Sequence, residues 1–192
     1  DTDFYSGEGS HNAEIIEPYL TAVKSFLNSL DNPITICDLG CGDFNVGKEL
    51  FSYSKNYIGV DIVPNLIERN KELYRSENLS FHCIDIAVDE LPMADCALLR
   101  QVLQHLSNHE VAQIVKKLYQ YKYVILTEHL PVEDFTSNKD IISGQGIRIK
   151  KQSGIDLIAA PFHFSVNEKH RLTSSDLKHN QGLIETVLYL LG

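Results

Sequence analysis

The chain has 192 residues, 43% of them hydrophobic and 22% charged, with a formal net charge of −9 and an isoelectric point near 5.3. That length suits one domain with an ordinary core, and no apolar run approaches the roughly 20 residues that span a bilayer. The acidic balance argues against a broad phosphate-binding surface, because non-specific nucleic-acid affinity rests on Lys and Arg.

Helix-like and strand-like segments alternate, the pattern of βαβ units around a parallel sheet. Ser10 reads as the cap of a first helix with Ile15, Ile16, Tyr19, Leu20, Val23, Phe26, Leu27 and Leu30 on one face. Pro18 predicts a kink there, or a start near Glu17. After the Asn32-Pro33 break, residues 34–39 (ITICDL) read as a strand covered on both faces. Gly40-Cys41-Gly42 imposes a tight turn, and a helix is expected over 46–53. Residues 57–61 (YIGVD) form a second strand, and Pro64 opens a helix that turns Leu66, Ile67, Leu73 and Tyr74 inward. Residues 79–84 and 94–99 are the third and fourth strands, the latter with a possible extension to Leu103. Ser107 and Glu110 form a capping box ahead of a helix that buries Val111, Ile114, Val115 and Leu118. Residues 123–127 are the fifth strand. Residues 128–152, with Ser143-Gly144-Gln145-Gly146, lack periodicity, and long loops of this kind usually serve function. Thr173 and Asp176 resemble a further helix cap, and 183–191 (LIETVLYLL) reads as a central strand.

The four cysteines match no zinc spacing; Cys37, Cys83 and Cys96 fall in runs that read as buried strands. Arg148, Lys150 and Lys151 make a small basic cluster on a solvated loop. No secretory segment opens the chain, so a cytoplasmic protein is expected, and the start at Asp1 leaves room for residues upstream.

Three carboxylates stand at or just beyond three strand ends: Asp38, Asp61 and Asp85. Open parallel sheets bind ligands at the carboxyl ends of their strands, beside the switch point. Gly40 and Gly42 let backbone approach a ligand without an intervening Cβ. Asp61 follows Gly42 by 19 residues (61 − 42), the spacing of a carboxylate that accepts hydrogen bonds from a ribose. Asp85 is placed to accept from an adenine amino group, and Ile86 to pack on the base. Each also has a plain structural reading: a strand–helix turn for the glycines, a cap ahead of Pro64 for Asp61, and a turn for Asp85.

The run 36–43 (ICDLGCGD) resembles the glycine-rich motif of class I S-adenosylmethionine (SAM)-dependent methyltransferases, and YIGVD resembles their second motif. Asp85-Ile86 stands where their adenine-binding acid falls, and 99–107 (LRQVLQHLS) resembles the segment after their fourth strand. The resemblance covers residues 10–130. It implies an α/β fold: a doubly wound, mostly parallel seven-stranded sheet in three α/β/α layers. It implies one domain, with an N-terminal lid or helix over 1–30, a SAM-binding core over 31–130 and an acceptor side over 131–192. By position, Asp38, Gly40, Cys41 and Gly42 would surround the methionine part of SAM. Asp61 and Ile62 would hold the ribose side, Asp85 and Ile86 the adenine, and Gln101 would sit near the sulfonium. The family's closing antiparallel hairpin is not placed by the sequence.

Methyl transfer from SAM is an in-line displacement that asks mainly for positioning. His105, Glu128 and His129 are candidate bases, with His163, in PFHF, as an acceptor-pocket wall or a core position. Tyr5 and His11 are candidates for a lid. The acceptor is expected to be a small molecule methylated on O or N, with no nucleic acid, membrane or metal involved and a monomer or homodimer as the assembly. A nicotinamide dehydrogenase is disfavoured because Asn45 replaces the third glycine of G-x-G-x-x-G. A non-catalytic SAM- or nucleoside-binding subunit is the remaining alternative.

Overall fold

The computed structural model describes residues 8–144, 146–177 and 182–192. Tyr5, Gln145 and His179 lie outside them. The chain divides into two units, Asp1–Leu98 and Leu99–Gly192.

In the first unit, α1 (Glu8–His11) leads to α2 (Ala13–Asn28). Asn12, rather than Ser10, caps α2, its side chain accepting the Glu14 N–H at 3.0 Å. Pro18 stands inside α2 without interrupting it. Its missing donor falls on the exposed side of the helix, beside Glu14 and Glu17. Ile16, Tyr19, Val23 and Leu27 form the buried stripe.

Four strands follow: β1 (Thr35–Leu39), β2 (Asn56–Asp61), β3 (Leu79–Cys83) and β4 (Cys96–Arg100). β1 pairs in parallel with β2, Asp38 opposite Gly59, and with β4, Asp38 opposite Leu98. The switch point of the winding therefore lies at β1, between β2 and β4. The helix expected over 46–53 is instead two 3₁₀ turns, Gly47–Glu49 and Phe51–Tyr53. Phe44 lies so close over Gly47 that a Cβ there would stand 2.3 Å from its ring, so this position requires glycine, a poor helix former. That ring packs edge-on against Tyr57, Tyr74 and Phe81 at centroid distances of 5.6, 5.0 and 4.9 Å. α3 (Pro64–Leu73) opens on proline as expected, but Leu73 faces solvent and Asn70 takes the buried place one turn earlier. Cys83, on the outermost strand, is exposed rather than buried.

In the second unit, the Ser107–Glu110 capping box opens α4 (Asn108–Leu118), which buries the four predicted residues. β5 (Tyr123–Leu130) runs three residues past its expected end. β6 (Glu168–Asp176) occupies the place where Thr173 and Asp176 suggested a helix cap. It is a polar edge strand whose order comes from its antiparallel ladder with β7 (Leu183–Leu190), including a slip between Arg171 and Thr173. β7 also pairs antiparallel with β5. Phe162 and Phe164 are core residues, Phe164 lying 5.0 Å from Tyr119 and 5.8 Å from Tyr189, while His163 is exposed. The strand order of the seven-stranded sheet is β3-β2-β1-β4-β5-β7-β6. No helix among the described residues is long and apolar enough to cross a membrane.

Candidate functional site

The carboxyl ends of β1 and β2 meet in one hydrogen-bonded corner. The Gly40 and Cys41 N–H groups both donate to the Val60 carbonyl at 2.9 Å, which folds the chain back as it leaves β1. Gly40 and Gly42 carry φ of 91° and 55°, the left-handed region that costs a side chain most. The Gly42 N–H donates to Asp61 Oδ2 at 3.1 Å, while Asp61 Oδ1 accepts the Val63 N–H at 3.1 Å. The 19-residue spacing is thus a direct contact. Each Asp61 oxygen keeps a further lone pair for an outside donor.

Asp38 is buried and accepts the Tyr57 hydroxyl at 2.8 Å. Burial and the Asp38 charge push the Tyr57 hydroxyl well above its ordinary pKa, so it stays a donor. Burial, then Asp38 and Asp61, likewise hold the Cys41 thiol protonated; Cys41 is a turn residue and not a nucleophile. Beyond β2, Ile62 is 60% exposed, an apolar surface beside Asp61. Asp85 Oδ1 accepts the Ala87 N–H at 2.9 Å in a turn that buries Ile86.

Three contributors escape the sequence reading. Asn70 reaches from α3 to the Gly42 carbonyl at 2.8 Å. Buried Asp43 receives the His11 ring at 2.5 Å, and Asn45 Nδ2 donates to the Ser10 carbonyl at 2.7 Å. α1 is therefore fastened to the turn after β1. Asn70 carried a signal: an amide at an apolar position of a helix, four residues after Leu66, rarely stays buried without a partner.

In the second unit, β4 ends at Arg100 because Gln101 adopts φ 57°, its N–H donating to the Thr127 carbonyl at 2.7 Å. A 3₁₀ turn, Leu103–His105, follows. Glu128, 2% exposed, accepts the Leu103 N–H at 3.1 Å through Oε1. Burial raises its carboxyl to about pKa 8, against the pull of the Leu103 N–H and the Arg148 charge. His105 is exposed, yet crowding of its ring lowers the imidazole pKa, leaving it neutral near pH 7. His129, the third candidate base, stands next to Glu128 in β5. Neighbours on a strand point to opposite faces, and the ladder places Glu128 across from Glu185 but His129 across from Ile184. Arg148 belongs to no surface cluster: it is fully buried, its two terminal nitrogens donating to the Lys139 and Leu106 carbonyls at 2.6 Å each. Among the described residues no group of His, Cys, Asp and Glu could hold a metal.

Residues 36–121 match the model of a family described as a methyltransferase domain. A curated relative, an uncharacterized RNA methyltransferase of Chlamydia pneumoniae, is 26% identical over 162 residues, 80% of this chain and 38% of that protein. A second RNA methyltransferase, also uncharacterized, from Chlamydia caviae is 37% identical over 79 residues, 40% of this chain and 18% of that one. The chain thus spans well under half the length of the curated relatives it matches. Among solved structures, the N-methyltransferase NodS of Bradyrhizobium japonicum with S-adenosyl-L-homocysteine (SAH) aligns at a TM-score of 0.69 and 11% identity, over 95% of this chain and 90% of its own. Magnesium protoporphyrin IX methyltransferase of Synechocystis with bound SAM aligns at 0.60 and 15%, over 100% and 86%. At these identities the likeness is one of fold.

Proposed function

We propose that this chain, whose residues 36–121 match the methyltransferase domain model and whose sheet has the class I SAM-dependent methyltransferase fold, moves a methyl group from SAM to an O or N of a small-molecule acceptor. The observation that carries the reading is the corner at β1 and β2: an unshielded left-handed Gly40–Gly42 turn clipped by Asp61, beside the switch point.

The residues present fit an adenosyl ligand. The glycines leave backbone open where a Cβ would intrude. Asp61 accepts from the ribose hydroxyls while its Gly42 and Val63 contacts fix its rotamer. Ile62 and Ile86 offer apolar contact for the base, and Asp85 accepts from its amino group with the oxygen that Ala87 does not use. Asp38, held by Tyr57, serves the methionine end. SAM supplies a methyl group already activated by its sulfonium charge. The chain's own work is then to orient the acceptor, an effect worth several kcal/mol, and to take up its proton. His105, neutral and exposed, is the proton acceptor; Glu128 positions the 103–105 turn; His129 faces away from Glu128.

A second reading, an RNA acceptor, is favoured by the names of the Chlamydia relatives. The net charge of −9 weighs against it. Labelled SAM offered with a panel of small amines and alcohols, and separately with total RNA, tests both. Label in a small product supports the proposal. Label in RNA alone overturns the acceptor and leaves the donor. Label in neither, with SAM unbound, overturns the whole reading.

A further inference from the structure

A cavity of about 400 Å³ lies within the second unit, against the β5–β7–β6 face and the segment that follows β5. Its size is that of a small-ligand site, and its lining is strongly acidic. Glu128, Glu133, Asp134, Asp156 and Glu185 all contribute, against one cation, Lys169.

Acidity alone would mean little; the state of Glu128 means more. Its Oε2 is buried and has no hydrogen-bond partner among the described residues. The Arg148 charge pulls on Glu128 but makes no hydrogen bond to Oε2: its terminal nitrogens donate to backbone carbonyls and its Nε has no partner among the described residues. Glu128 also stands directly across from Glu185 in the β5–β7 ladder. Burial keeps Glu128 largely protonated near neutral pH, which spares the ladder a pair of facing like charges; Arg171 approaches only Glu185, at 3.7 Å from the exposed side. A buried carboxyl oxygen without a hydrogen-bond partner, opposite a second acid, is a place prepared for a cation with N–H groups, whose charge replaces the Glu128 proton as it enters. The cavity already tolerates one such group. The Lys169 ammonium lies 5.9 Å from the centroid of the Tyr189 ring, and both residues line it. The remaining walls, Leu126 and Val187 among them, are apolar and suit a carbon chain rather than a hydrated metal ion.

We propose that this cavity binds a small organic ammonium ion, its N–H groups on Glu128 Oε2 and Glu185 and its carbon chain against Leu126, Val187 and Tyr189. The site is independent of the methyl-transfer reading and stands or falls separately.

The test is calorimetric titration of the full chain with 1,5-diaminopentane, with 1,5-pentanediol as the uncharged control. The diamine is expected to bind and the diol not. Glu128→Gln keeps an oxygen for the Leu103 N–H but cannot ionise to balance an entering cation, and is expected to weaken diamine binding about tenfold or more. Glu185→Gln, on a partly exposed strand position, is expected to weaken it as well and serves if the first variant fails to fold. Glu77→Gln, an exposed position of the first unit, should leave binding unchanged. No binding of the diamine, equal binding of diol and diamine, or equal weakening by all three variants would overturn the proposal, the last by reducing it to overall charge.

Discussion

Replacing Glu128 by glutamine should flatten the dependence of folding stability on pH. The carboxyl has an ordinary pKa of 4.5 and is raised by burial to about 8 in the folded chain. The folded state therefore holds this proton more tightly than the unfolded chain does. The resulting stabilisation is complete below about pH 4.5 and is lost as pH rises through about 8. The interval from 4.5 to about 8, at about 1.4 kcal/mol per tenfold change in proton affinity, puts the loss on the order of 5 kcal/mol. That is a large share of the roughly 5–15 kcal/mol by which domains are stable. Urea unfolding of both proteins at pH 5 and pH 9 isolates it, since every other titrating group is common to the two. The wild type is expected to lose several kcal/mol more than Glu128→Gln across that range. Parallel pH profiles would refute the claim that this carboxyl is ionised only at a cost.

Asp61→Asn replaces one acceptor by a donor facing either the Gly42 N–H or the ribose, and is expected to weaken SAH binding roughly 10- to 100-fold by calorimetry. Tyr57→Phe removes the donor on buried Asp38 and should cost about 1–3 kcal/mol in urea unfolding. Arg148→Met strips the Lys139 and Leu106 carbonyls of their charged partner; a loss of about 2–5 kcal/mol and faster proteolysis between residues 139 and 151 are expected.

The first unit was largely legible because its signals are local. An apolar run covered on both faces, a Gly-x-Gly turn and an acid 19 residues on each carry a short-range physical constraint, and together they named Asp38, Gly40, Gly42 and Asp61. What the sequence hid there was tertiary: the Phe44 ring packs over Gly47, and the expected helix is two 3₁₀ turns. The second unit was less legible because its order is tertiary. β6 (EKHRLTSSD) has no alternation of its own and is a strand only by virtue of β7. Arg148 looked like a surface residue because nothing nearby in sequence announces the carbonyls of Leu106 and Lys139 that it serves. Glu128 and His129, both read as candidate bases, lie on opposite faces of β5, which the ladder register reveals and the sequence does not.

The account rests on an adenosyl group lying at the ends of β1 and β2. Calorimetric titration of the folded wild-type chain with SAH addresses this most directly. One molecule bound per chain, displaced by SAM and not by NADH, is the predicted result; a folded chain that takes up neither SAH nor SAM would contradict it.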